Sequence, residues 1–165
     1  MSEEPSAAAA WVALGANLGH RGRALAALRA ALEQPGDVHI AAASPEVLTR
    51  PVGMLAQPDF HNQVVRLEAT RPLPATDWLR RCRDAETAAG RKPTIRWGPR
   101  RADADLLLLG PRGEVRVALP ELVIPHPALA DRPFLWRLLT AIDPALRHPD
   151  GWSFATGPSA AQPVN

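Results

Sequence analysis

Hydrophobic and polar positions along the chain follow two different periods, which predicts a protein of mixed helices and strands. Leucines at 25, 28 and 32 have helical spacing, whereas residues 61–70 alternate as a half-buried strand does. Proline and glycine separate these segments. The predicted helices are 23–34, 76–89 and 133–142; the predicted strands are 10–17, 38–49 with an interruption at Pro45, 61–70, 103–109 and 114–117; the predicted loops are 50–60 and 122–127.

The order of the predicted core elements is β-α-β-β-α-β, with further elements after it. This order predicts an α+β fold, a ferredoxin-like core with an antiparallel sheet, helices on one face and additional C-terminal helices. Pro72 to Pro74 are expected to end the third strand, and Thr76 to cap the helix after it. The fold hosts many unrelated activities and does not decide the function.

Length and composition narrow the possibilities. The 165 residues suit one domain, and 46% hydrophobic with 22% charged residues excludes wholesale disorder. A net charge of +2 argues against a general polyanion binder. We expect a single domain at 10–150, with flexible termini at 1–9 and 151–165 and loosening from His148 onward.

Cellular location follows from cysteine and hydropathy patterns. Cys82 is the only cysteine, which excludes an internal disulfide and fits a reducing compartment. No apolar run approaches the roughly 20 residues that cross a bilayer, and residues 1–10 lack the basic start of a signal peptide. These observations predict a cytoplasmic protein, for which we expect a monomer.

The stretch RKPTIRWGPRRADADLLLL, at 91–109, is the part that folding alone explains least. Its leucines predict a buried strand, and the strand period places Asp103 and Asp105 on one face. Two neighbouring carboxylates repel each other, and a divalent cation such as Mg²⁺, which takes one or two carboxylates together with phosphate oxygens, removes that repulsion. The arginines upstream are bidentate donors for phosphate. Alternatively, the same charges form only weak surface ion pairs.

Four separated motifs together resemble the family of 6-hydroxymethyl-7,8-dihydropterin pyrophosphokinases of folate biosynthesis. They are ALGANLG at 13–19, TRPVGMLAQPDFHN at 49–62, GRKPTIRWGPRRADADLLLL at 90–109 and IPHPALADRPFL at 124–135. The resemblance implies transfer of the β,γ-diphosphate of ATP to the hydroxymethyl group of the pterin, with release of AMP and with two Mg²⁺ ions. Small-molecule substrates are implied, without nucleic acid or membrane partners.

The resemblance also implies a role for individual residues. Asp103 and Asp105 are implied metal ligands, and Arg91, Arg100 and Asp105 are implied catalytic residues. The implied pterin-binding residues are Thr49, Val52, Gly53, Phe60, Asn62 and Phe134; the implied ATP-binding residues are Arg83, Glu86, Arg96, Trp97, Arg100, Leu106, His126 and Arg132. The family's usual GSN is GAN in this chain, and a second catalytic-loop arginine is replaced by Pro93.

Structural explanations for several of these side chains stay open. Phe60 and Phe134 are alternatively core aromatics, Asn62 a turn residue and His126 a surface histidine. Tryptophans at 11, 78 and 136 lie in apolar patterns and are expected to pack, and Cys82 is expected to be inert.

Two other functions compete with the pyrophosphokinase. The first is a different Mg²⁺-dependent transferase that uses the two aspartates, such as a nucleotidyl- or glycosyltransferase. The second is an RNA-binding ferredoxin-like module, which requires exposed aromatic residues on its strands, and no predicted strand has that pattern.

Overall fold

A computed structural model of the chain describes residues 4–16, 21–49, 60–90 and 102–158. The elements within these ranges are β1 (Ser6–Ala16), α1 (Arg21–Glu33), β2 (Val38–Ala43), β3 (Val47–Thr49), β4 (Phe60–Pro74), α2 (Ala75–Ala88), β5 (Asp103–Leu109), β6 (Val117–Leu119), β7 (Leu122–Ile124), a 3₁₀ turn at Leu129–Asp131 and α3 (Pro133–Ile142).

The central sheet is antiparallel and runs in the order β2-β4-β1-β5, with β3 also paired to β4. The core elements β1-α1-β2-β4-α2-β5 form the predicted ferredoxin-like arrangement, so the α+β fold is confirmed. The interruption predicted at Pro45 is the break between β2 and β3. A separate hairpin pairs β6 with β7.

Each face of the sheet carries its own hydrophobic core. The face with α1 and α2 buries Leu25, Leu28 and Leu32 of α1 together with Trp78 of α2. The opposite face is covered by α3, the predicted additional helix, and by the segment after it. Among the described helices, none combines the length and the apolar composition that a bilayer crossing requires.

The third predicted strand is longer than its prolines suggested. β4 continues through Pro72 to Pro74, so the expected end at those prolines is wrong. Its pairing with β2 stops at Ala69, whereas its pairing with β1 resumes at Leu73 opposite Ala7. A missing proline N–H is tolerated where a strand has a neighbour on one side only.

The predicted loop at 122–127 is partly wrong, because Leu122–Ile124 forms β7. The strand predicted at 114–117 is shifted to Val117–Leu119. Burial of Leu122 and Ile124 on either side of the exposed Val123 is the two-residue period of a strand. The prolines around this short segment hid that period.

Residues near the N-terminus belong to the first strand, which starts before the predicted position 10. β1 begins at Ser6, and Ala7 and Ala9 are buried. The Glu4 carboxylate accepts hydrogen bonds from the backbone N–H of Thr76 at 3.0 Å and from its hydroxyl at 2.6 Å, which lowers the pKa of Glu4. Thr76 is therefore not the N-cap: α2 starts at Ala75, and Glu4 satisfies a free N–H of its first turn.

Residues after His148 contribute to the second core. Phe154 is buried with α3 in the second core. His148 is 6% exposed and stacks on Trp152 at 4.6 Å between ring centroids. The Trp136 indole N–H donates to the carbonyl of Leu129 at 2.7 Å. Aromatic rings supply the packing area in this segment, which its proline- and glycine-rich composition did not predict.

Protonation of His148 should destabilise the protein in mild acid. Burial lowers the pKa of His148 below its ordinary value; Asp150 opposes this shift and Arg116 adds to it. The unfolded chain therefore binds the proton more readily, so the stability contributed by neutral His148 is complete above about pH 6.5 and is lost as pH falls through the folded pKa. We expect the Tm to fall between about pH 7.5 and about pH 5, and to fall less in His148→Phe.

Exposed His39 provides the matched control for this titration. His39→Phe makes the same substitution at a side chain that is 62% exposed, so a difference confined to His148→Phe identifies burial at position 148 as the cause. An identical pH dependence in wild type and His148→Phe would contradict the prediction.

Candidate active site

Strand β5 presents two carboxylates on one face. Ala104 and Leu106 are buried, whereas Asp103 is half-buried and Asp105 is exposed. This alternation is the strand period that the sequence predicted, so Asp103 and Asp105 share a face of the sheet.

Asn62 lies in the same row of the sheet as Asp103. Gly15 of β1 is the register partner of Asn62 on one side and of Asp103 on the other. Opposed residues of antiparallel strands share a face, so Asn62 and Asp103 point the same way, about two strand spacings or roughly 10 Å apart. A Cβ on Gly15 would lie 3.2 Å from Asn62 Oδ1. The glycine therefore leaves the space between the amide and the carboxylate open.

Glu86 of α2 holds the backbone between the two aspartates. Its Oε2 accepts the N–H of Ala104 at 2.9 Å. Burial raises the pKa of the Cys82 thiol to about 12, and the negative charges of Glu86 and Asp105 add to this shift. The thiol is accordingly protonated, and the expected inertness of Cys82 agrees with its position. The Glu86 contact restrains the aspartate pair through the main chain.

His126 is fixed against the outer edge of β5. Its backbone N–H donates to Leu107 at 3.0 Å, and its Nδ1 accepts the N–H of Ala128 at 3.1 Å. Burial lowers the pKa of His126, Asp105 raises it and Arg132 lowers it again. The imidazole is therefore neutral near pH 7, with its proton on Nε2, which makes Nε2 a hydrogen-bond donor.

A pocket of about 430 Å³ opens beside β5. It lies between α2, β5 and the β6–β7 hairpin, and its lining brings together five residues of the predicted site. These are Arg83, Glu86, Asp105, Leu106 and His126. Carboxylates outnumber the basic groups here, so the lining suits hydroxyl and amino donors, and it suits a phosphate chain when a divalent cation accompanies it.

The lining also contains residues that the sequence analysis did not select. Leu79 of α2 and the segment Pro120 to Val123, which forms the β6–β7 turn and the start of β7, complete the wall. Glu121 is an exposed carboxylate in that turn. The alternation in Leu122–Ile124 was the available signal, since it predicts a strand whose preceding turn projects toward β5.

Several other predicted site residues do not line this pocket. Phe134 is half-buried and packs on the second core at the start of α3, and exposed Arg132 precedes that helix. For Thr49 and Phe60 the structure gives the backbone, which pairs them in register two residues from Asn62. The remaining predicted residues lie outside the described ranges: Val52, Gly53, Arg91, Arg96, Trp97 and Arg100.

The acidic pair suits magnesium better than a metal that needs a full protein cage. Within the described ranges no three His, Cys, Asp or Glu side chains come together as a metal-binding group. Mg²⁺ needs only one or two carboxylates, and phosphates and water complete its coordination. Asp103 and Asp105 share one face of β5, and Asp105 lines the pocket, so the pair meets that requirement.

Comparisons with known proteins show which family the chain resembles. Residues 11–144 match the family model of 7,8-dihydro-6-hydroxymethylpterin-pyrophosphokinase. The chain is 36% identical over 141 residues to the 2-amino-4-hydroxy-6-hydroxymethyldihydropteridine pyrophosphokinase of Pseudomonas aeruginosa, covering 86% of this chain and 84% of that protein.

Two further relatives carry the same name. The Bacillus subtilis protein is 33% identical over 133 residues, covering 81% of this chain and 77% of that protein. The Mycobacterium bovis protein is 37% identical over 139 residues, covering 81% of this chain and 71% of that protein. The match at 11–144 includes most of both cores and the aspartate strand, and the chain belongs to the 7,8-dihydro-6-hydroxymethylpterin-pyrophosphokinase family.

Proposed function

We propose that the protein transfers the β,γ-diphosphate of ATP to the hydroxymethyl group of 6-hydroxymethyl-7,8-dihydropterin and releases AMP, a step of folate biosynthesis. Membership of the family supports the reaction. The structural observation that supports it best is one face of the sheet, which presents Asp103 and the pocket-lining Asp105 on β5 and Asn62 two strands away on β4.

The pocket beside β5 is proposed to hold the nucleotide. Leu106 and Leu79 offer apolar surface for the base, and neutral His126 offers an N–H donor. Arg83 supplies positive charge in the lining, Arg132 lies close enough to His126 to lower its pKa, and Glu86 restrains the strand beneath. Arg96 and Trp97 complete the proposed nucleotide site, as the family resemblance implies.

The opposite end of the row is proposed to bind the pterin. The Asn62 side chain offers both an acceptor and donors, which suits the amide edge of the ring. Phe60 and Phe134 are proposed to stack on the ring, and Thr49, Val52 and Gly53 to border it. The roughly 10 Å between Asn62 and Asp103 leaves room for a bicyclic ring whose side arm reaches toward the aspartates.

Asp103 and Asp105 are proposed to hold two Mg²⁺ ions, which when bound neutralise charge on the phosphate oxygens and increase the acidity of the substrate hydroxyl. The hydroxyl oxygen forms a bond to the β-phosphorus while the bond to the α-phosphate oxygen breaks, and AMP departs. Asp105 is proposed to accept the hydroxyl proton. Arg91 and Arg100 are proposed to neutralise the migrating diphosphate.

An assay with ATP, Mg²⁺ and the reduced pterin alcohol tests this function directly. We expect AMP and diphosphorylated pterin in equal amounts. Release of pyrophosphate would instead identify a nucleotidyltransferase, and no turnover of the pterin would reject the proposal.

The competing RNA-binding function has no support from the described sheet. The large exposed hydrophobic side chains of the described residues are aliphatic, Leu48 of β3 and Val123 of β7. Trp11 is buried on the sheet, with the Arg66 guanidinium 5.4 Å from its ring centroid. A stacking platform for bases requires exposed aromatic rings.

Glu86 provides a test that separates backbone restraint from charge. Glu86→Leu removes the acceptor for Ala104 N–H and should lower kcat/KM for ATP by roughly 10- to 100-fold, as loss of a group that orients metal ligands does. Glu86→Gln keeps an oxygen acceptor and should retain most activity. Equal losses in the two variants would show that the negative charge, and not the hydrogen bond, is required.

A further inference from the structure

A cluster of polar side chains lies on the sheet face opposite Asn62. We call Arg29, Ser44, Glu46, His61 and Gln63 the α1–β4 polar cluster. Arg29 of α1 donates from Nη1 to Gln63 Oε1 at 2.6 Å and to Glu46 Oε2 at 3.4 Å. His61 Nε2 lies 2.9 Å from Glu46 Oε1.

Gln63 extends the cluster to the break between β2 and β3. Its Nε2 donates to the Ser44 carbonyl at 2.9 Å. Ser44 also exchanges two hydrogen bonds with Val64, one through its N–H at 2.8 Å and one through its hydroxyl, which accepts the Val64 N–H at 2.9 Å. Gln63 and Ser44 are 6% and 3% exposed. Buried polar groups with their partners satisfied restrict a structure strongly, because each lost partner leaves a desolvated group.

The position of the cluster in the fold connects it with the pterin end of the site. Asn62 is flanked along β4 by His61 and Gln63, and both neighbours are tied to the cluster. The cluster also fixes the segment that leads into β3, which pairs with β4 through Val47, Leu48 and Thr49. Backbone on both sides of Asn62 is thus anchored to α1, while the Asn62 side chain points to the other face.

The nucleotide pocket has a different set of anchors. Its aspartate strand is restrained by Glu86 and His126, neither of which contacts the cluster through a described hydrogen bond. The lining of the pocket contains no member of the α1–β4 polar cluster. A change in the cluster should therefore reach the pterin end of the sheet and leave the nucleotide end in place.

We propose that the α1–β4 polar cluster positions Asn62, so that His61 and Gln63 determine the affinity for the pterin without contacting it. This inference rests on the proposed function. An amide that holds the ring equally in the ground state and the transition state changes KM and leaves kcat unchanged. Loss of the cluster should accordingly raise the KM for the pterin alone.

The test compares His61→Leu and Gln63→Met with the wild type. We expect about a tenfold increase in the KM and in the equilibrium Kd for the pterin, with kcat and the KM for ATP within about twofold of wild type. His61→Gln, whose amide can still donate to Glu46, should restore most of the pterin affinity. His39→Leu is the matched control, because exposed His39 also pairs with a glutamate, Glu68, at 3.7 Å and lies on β2, beside the part of β4 that is remote from Asn62.

Two results would overturn the positioning role: pterin constants within twofold of wild type in both variants, or equal increases in the constants for pterin and ATP accompanied by a lower Tm. If Gln63→Met does not fold, His61→Leu decides, because that side chain is 19% exposed and its replacement leaves the buried bonds of Gln63 intact. Binding is measured separately from turnover. Wild-type protein that neither binds nor converts the pterin rejects both proposals, whereas active wild type with unchanged variants rejects only the positioning role.

Discussion

Asp105→Ala is expected to lower kcat by roughly three orders of magnitude, even at saturating Mg²⁺, because metal ions contribute several kcal/mol to stabilising such a transition state. Asp105 is the exposed member of the same-face pair and lines the pocket. Its removal leaves one of the two carboxylates proposed to hold the cations and removes the proposed acceptor for the hydroxyl proton. AMP formation, measured across a titration of Mg²⁺, tests both roles.

Asp84→Ala is the matched control for this experiment. Asp84 is an exposed aspartate of α2, two residues before Glu86, and does not line the pocket. It should keep the wild-type rate. Near-normal turnover of Asp105→Ala with saturating Mg²⁺ would rule out the proposed role of this carboxylate in catalysis.

Trp78→Ala is expected to lower the free energy of unfolding by about 3–5 kcal/mol, as truncations of large buried aromatic residues do. Trp78 is completely buried between α2 and the sheet. Its indole N–H donates to the Ala7 carbonyl at 2.9 Å, which ties α2 to β1. A domain of ordinary stability, about 5–15 kcal/mol, would lose a large share of its margin. Urea unfolding followed by far-UV circular dichroism measures the change.

Trp78→Phe separates the two contributions of this residue. Phenylalanine keeps most of the apolar volume but leaves the Ala7 carbonyl without its indole donor, so a smaller loss of about 1–3 kcal/mol is expected. A Trp78→Ala variant within about 1 kcal/mol of wild type would mean that the packing around α2 relaxes to fill the space.

The sequence predicted best those elements whose pattern is local. β5 and α3 have the predicted bounds, because a leucine run ended by glycine and a helix beginning at proline are strong signals. The prolines of β4 misled the prediction. A strand tolerates a proline where it has no neighbouring strand on the side of the missing N–H, and the local sequence does not reveal this. β7 was missed because three residues between prolines form a strand only when β6 pairs with them.

The candidate site was predictable to a similar extent. The strand period alone places Asp103 and Asp105 on one face. The pocket wall is a tertiary feature, because it joins α2, β5 and a hairpin turn that are separated along the chain. The hydrogen bond from Ala104 to Glu86 likewise depends on helix packing. The roles of Arg91 and Arg100 rest on the family resemblance.

The outer border of β5 has a consequence for self-association. Several of its main-chain groups are already engaged: Ala104 N–H by Glu86, Leu107 C=O by His126 and Leu109 C=O by Val115. A border strand with free amides and carbonyls is a template on which another molecule's strand can be added. The Glu86 side chain, which restrains β5 between its two aspartates, therefore also shields an amide from intermolecular β-pairing, so Glu86→Leu should increase the tendency of the protein to aggregate.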